Sequence, residues 1–150
     1  VETAEAVARQ QKPELTLQID EGVGEVNFGD WQGKSLRQLS RRRLWETVQH
    51  YPSGARFPNG ESIREMQFRV VSALESIASR HPSGRVAVVA HSDVIKAMLA
   101  HYAGMPLDMF QRLIVSPASI SIVQLTRQRP FIVTMNDTSH YTRPRPTEES

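Results

Sequence analysis

No cysteine occurs in the 150 residues, so disulfides and thiolate metal sites are excluded. No apolar run approaches the length of a membrane span. The first residues carry none of the apolar stretch that opens a secretory leader. None of the five histidines falls in a His-x-x-x-His or His-Glu-x-x-His pattern, so spacing argues for no metal site. The Walker phosphate loop, the dinucleotide glycine fingerprint and the Gly-x-Ser-x-Gly elbow are missing too. Formal net charge is only +2. The one basic cluster, Arg41-Arg42-Arg43 with Arg37 nearby, reads better as a solvated helix face than as a nucleic-acid groove. A soluble, cytoplasmic protein is expected, with no cofactor and no nucleic-acid or membrane partner. Apolar residues at 39% are enough for one domain with a real core.

The informative stretch is Arg85-Val86-Ala87-Val88-Val89-Ala90-His91-Ser92-Asp93-Val94-Ile95. It opens as a short run of small and β-branched residues, the mark of a parallel strand buried on both faces. Val94, Ile95, Met98 and Leu99 then recur at helical spacing. His91 therefore stands at a strand tip, with Ser92 or Asp93 as the cap of the next helix. Ligands of open α/β sheets bind at such tips. The first free amides of the helix, at about Asp93 and Val94, make an anion site. His91, Ser92 and Asp93 are the candidate phosphate-binding residues.

Along the chain, residues 2–11 read as a helix that Pro13 ends, and 15–19 as a strand. The pattern begins in mid-helix at Val1, with no cap before it, so a segment upstream is expected. Residues 22–33 form a loop with four glycines, two aromatics and Glu25. Such loops carry function, and Glu25 is a candidate general acid. Ser35 is expected to cap a helix running to about His50, and 51–60 to be irregular. The longest helix is expected over about 62–80, then a strand over 85–90 and a helix over 93–103. A short helix over 107–114 follows. Strands over 120–125 and 131–135 pair as an edge hairpin. The polar, proline-rich end, 142–150, reads as a disordered tail. Helix–strand alternation predicts a three-layer α/β/α domain over 1–141 with a mostly parallel sheet. His50, His81, His101 and His140 read as surface or structural histidines.

Three stretches together resemble the histidine phosphatase superfamily, in its phosphoglycerate mutase-like branch. Glu25-Val26-Asn27-Phe28-Gly29-Asp30-Trp31-Gln32-Gly33 is similar to that family's Glu-x-x-Phe-Gly-x-Trp-Glu-Gly segment. Pro58-Asn59-Gly60-Glu61-Ser62, with Arg69 behind it, resembles the Gly-Glu-Ser helix start. Val88-Val89-Ala90-His91 resembles the strand carrying the family's second histidine, and 136–140 the family's tail. The resemblance implies a phosphatase or phosphomutase acting on a small phosphate ester through a phosphohistidine. It makes Glu25 the acid and His91 the second histidine, as the catalytic residues of this chain. The alternative is a non-catalytic member that binds a phosphorylated ligand or a protein; homo-oligomers fit either reading. The family's Arg-His-Gly nucleophile motif is not in this sequence, nor is its first strand. The nucleophile is expected upstream of Val1, and the 150 residues alone are expected to be inactive. Ser92-Asp93 also departs from the glycines usual after this histidine. Arg41 to Arg43 and Arg56 lie in the insertion that covers the site in the family, where they could meet a second anionic group.

Overall fold

The computed structural model describes residues 1–13 and 15–141; the tail expected to be disordered lies outside them. Among the described residues five α-helices run in chain order: α1 (Glu2–Arg9), α2 (Leu36–Leu39), α3 (Arg43–His50), α4 (Ile63–Arg80) and α5 (Ser92–Tyr102). Strands β1 (Ile120–Leu125) and β2 (Pro130–Asp137) close the chain. Among the described residues none of the helices is long and apolar enough to cross a membrane.

Helix α4 is the spine. Ser62 accepts from the Glu65 amide at 3.2 Å, and Glu65 returns to the Ser62 amide at 2.8 Å. This reciprocal box satisfies two orphan donors at the helix start. Together with an ion pair to Arg56 it holds the Glu65 carboxyl below its ordinary range. The apolar rhythm then buries Ile63, Met66, Val70 and Val71. Helix α5 answers with Val94, Ala97, Leu99 and Ala100. Small residues at the contact let the helices approach closely. A crossing bond from Gln67 Nε2 to the Ala97 carbonyl, 2.9 Å, fixes their register. Phe110, from a 3-10 segment at Leu107–Arg112, and Phe57 complete the buried core.

Among the described residues the hydrogen-bonded sheet is the antiparallel β1–β2 hairpin, as expected over 120–125 and 131–135, and its register slips between Ile120 and Ile122 and again between Ile122 and Val123. Asn136, at φ +52°, lies at the first slip. Residues 15–19 and 85–90 make no strand pairing among the described residues. The expectation that 85–90 is buried on both faces is corrected. Val88 and Ala90 line a small apolar cavity against α4 and α5, while Val89 is 45% exposed. A strand is defined by its neighbours, and alternation alone supplies none. Three smaller corrections follow. The helix expected over 35–50 breaks at 40–42 into α2 and α3. The segment 51–60 contains a 3-10 turn at Pro52–Gly54. The short helix expected over 107–114 is a 3-10 segment that ends two residues earlier, at Arg112.

Two loops meet through glycines. Gly29 has φ +50°, and a Cβ there would sit 2.1 Å from the Pro58 carbonyl oxygen. Gly33 is also left-handed, at φ +73°, but with open space around it. Gly29→Ala should therefore cost at least about 2 kcal/mol and lower the thermal midpoint by about 5 °C or more. Gly33→Ala should lose only the smaller conformational share. Melting both variants checks this; equal, small losses would remove the close approach as a constraint.

Candidate active site

Glu25 follows a turn closed by Asp20, whose Oδ1 accepts from the Gly22 amide at 2.8 Å. The buried Val26 anchors the next position. The Glu25 Oε1 accepts from the Val26 amide at 2.8 Å, and its Oε2 lies 3.0 Å from His91 Nδ1. The structure thus brings together the two residues singled out as catalytic, 66 positions apart in sequence. His91 is 62% exposed and Glu25 39%, so both are open to a ligand.

His91 itself takes the N-cap position of α5, in extended backbone at φ −90° and ψ 159°, with no side-chain cap bond. This corrects the expectation that Ser92 or Asp93 is the cap; both are first-turn residues. The Ile95 amide is the one that bonds back to the His91 carbonyl, at 3.0 Å. The amides of Ser92, Asp93 and Val94 stand at the open helix end, where the dipole favours an anion.

The Asp93 carboxylate is turned along its own helix, with Oδ1 3.5 Å from Lys96 Nζ. Lys96, only 16% exposed, also donates to Gln111 Oε1 at 3.2 Å. The acidic departure from the family pattern is thereby neutralised beside His91. The i, i+3 spacing of Asp93 and Lys96 was its sequence signal. Arg56 donates to the Gly60 carbonyl at 3.3 Å and pairs with Glu65, so it braces a loop. Arg41, Arg42 and Arg43 are exposed around the α2–α3 break. His50 and His81 stand at helix ends. The His101 and His140 rings lie against Tyr102 and Tyr141.

Two residues quoted from the motif without a role prove central to this geometry. Glu61 accepts from the Asn27 amide at 2.8 Å and pairs with Arg69, also at 2.8 Å. Behind them Phe57 packs edge-on against both Phe28 and Trp31.

The family model of the histidine phosphatase superfamily (branch 1) matches residues 1–138. The chain belongs to this superfamily. Among histidine phosphatases it is 27% identical over 126 residues to phosphoserine phosphatase 1 of Hydrogenobacter thermophilus, covering 81% of this chain and 58% of that protein. It is 25% identical to a probable phosphoglycerate mutase, GpmB, of Yersinia pestis, covering 87% of this chain and 64% of that protein. The chain thus spans less than two thirds of these curated relatives. Bacillus stearothermophilus YhfR superposes with a TM-score of 0.86 at 26% identity, over 93% of this chain and 69% of that one. A phosphoserine phosphatase of Entamoeba histolytica, solved with phosphoserine, shares the fold at a TM-score of 0.80 and 20% identity, over 93% of this chain and 70% of that one. The resemblance carried by the three motifs therefore holds along nearly the whole chain, and with it the mixed helix–strand fold class.

Proposed function

We propose that the complete form of this histidine phosphatase domain hydrolyses a small phosphate ester through a phosphohistidine. The observation that carries this reading is the Glu25–His91 contact of 3.0 Å beside the open N-terminus of α5. A carboxyl that can give a proton and an imidazole that can hold an oxyanion stand together where helix amides favour phosphate. Solved relatives sharing the fold were crystallised with phosphoserine and with 3-phosphoglyceric acid, which supports the substrate class.

In the proposed route, a histidine contributed from upstream of Val1 attacks phosphorus, and the bond from phosphorus to the ester oxygen breaks. Glu25 gives its proton to the departing alkoxide. His91, with Nδ1 on Glu25, presents Nε2 to a phosphate oxygen as the charge spreads. Water then attacks phosphorus, the phosphorus–nitrogen bond breaks and inorganic phosphate leaves; the proton that water gives up passes to solvent, from which Glu25 is reprotonated. The proposed, mostly parallel sheet takes its missing central strand from the same upstream segment. Hydrolysis is the proposed reaction, with phosphomutase activity as the alternative. The proposed chemistry is metal-independent.

The test is hydrolysis of p-nitrophenyl phosphate by the complete gene product in EDTA, with rapid quenching. The expected result is full turnover and an acid-labile, alkali-stable phosphoenzyme. Turnover abolished by EDTA, or no trapped phosphoenzyme, would overturn the mechanism. A folded protein that binds phosphate without turnover would establish the binding role instead.

A further inference from the structure

We propose that Arg69, oriented by Glu61, is the positioning residue that sets the Glu25 carboxyl against its proton acceptor. The proposal rests on the reading of Glu25 as the acid. Every nitrogen of the Arg69 guanidinium is engaged. Nε and Nη2 fork onto the two Glu61 carboxylate oxygens, at 3.2 and 2.8 Å. Nη1 reaches the carbonyls of Glu21, Gly22 and Gly24, at 3.0, 3.0 and 3.2 Å. Nη2 also reaches the carbonyl of Glu25 itself, at 3.3 Å. One side chain thus gathers four backbone carbonyls of the acid-bearing loop, 44 to 48 positions away in sequence.

Glu61 completes the hold from the other side of Glu25. Its Oε1 accepts from the Asn27 amide at 2.8 Å, and its own amide donates to the Asn27 carbonyl at 3.0 Å. The backbone is therefore gripped at 21–25 and again at 27, and the acid lies between the grips. Both gripping residues are referred to α4: Arg69 lies within it, and Glu61 directly precedes its capping Ser62. Helix α4 is packed on α5, whose first position follows His91. The loop, α4 and α5 form one chain of contacts from the acid to the histidine. The fork geometry is essential. A lysine supplies a point charge and cannot hold two carboxylate oxygens and four carbonyls at once.

A displaced general acid costs most where the leaving group needs a proton. In the complete gene product, Arg69→Lys should lower kcat for an alkyl phosphate about 30-fold. Its kcat for p-nitrophenyl phosphate should fall by no more than about threefold, with KM for both esters within about twofold. Hydrogen exchange of amides 22–27 should quicken while α4 and α5 keep their protection. Glu61→Gln, which keeps an oxygen for the Asn27 amide but loses the charged fork, should show the same selectivity more mildly, and serves if Arg69→Lys does not fold. Equal slowing of both esters, or exchange loosened throughout α4, would make Arg69 a structural residue and overturn the proposal. Glu25→Gln run alongside separates the two claims. Selectivity in Glu25→Gln with none in the Arg69 and Glu61 variants refutes the positioning role alone. No selectivity in Glu25→Gln refutes the acid reading, and the positioning role with it.

Discussion

His91→Ala in the complete gene product should reduce kcat/KM for p-nitrophenyl phosphate by about 10²- to 10³-fold. The size follows from what is removed. An imidazole held at 3.0 Å by Glu25 is a donor already oriented before the substrate arrives. No reorganisation is needed as charge develops on the phosphoryl oxygens. Removing it also leaves the Glu25 carboxyl without its partner. The fold should be indifferent. His91 caps α5 through its backbone alone and makes no side-chain cap bond, so the thermal midpoint should move by no more than about 2 °C. Steady-state rates and a melting curve on the same preparation read both quantities. A rate equal to wild type would remove His91 from the site. A rate loss matched by a collapse in stability would assign it to the scaffold.

Glu25→Gln should split substrates by leaving group. For an alkyl phosphate the departing alkoxide must be protonated, and the loss should be about 10²-fold. For p-nitrophenyl phosphate the phenolate leaves without help, and the rate should stay within about threefold. Glutamine is nearly isosteric. It keeps an oxygen for the Val26 amide, so the loop geometry of the 2.8 Å bond survives. The contrast between esters therefore reports the proton and not the shape. Plotting log kcat against the leaving-group acidity of a series of esters gives the check: the variant should show a much steeper line than wild type. Parallel lines would deny Glu25 the acid's role.

The legible parts of the structure are those whose cause is local. Helix α4 could be read because its capping box and its apolar rhythm both lie within one segment. The Glu25 loop was legible as a concentration of glycine, aromatic and carboxylate. The pairing of residues 85–90 was not legible, since backbone bonds come from other segments. The α2–α3 break was hidden because Ser35 supplies a helix cap and Leu44, Trp45 and Val48 supply apolar positions beyond the break. The cap of α5 was misplaced by one residue for a related reason. Serine and aspartate are the usual caps, but the backbone turns at His91. Arg69 had no local signal: its carbonyl partners lie in a loop that precedes it by more than 40 residues.

The seam between the two loops bears on timing. Asp30 donates its amide to the Pro58 carbonyl at 2.9 Å, and the Asn59 amide group reaches Asp30 Oδ1 at 3.2 Å. With Gly29 seated on Pro58, the segment carrying the acid is stitched to the segment that leads into α4. On the proposed reading of Glu25 as the acid, these bonds hold its loop in place before a substrate arrives. On that reading, added viscogen should slow the encounter of good substrates with the site without touching the proton-transfer step itself.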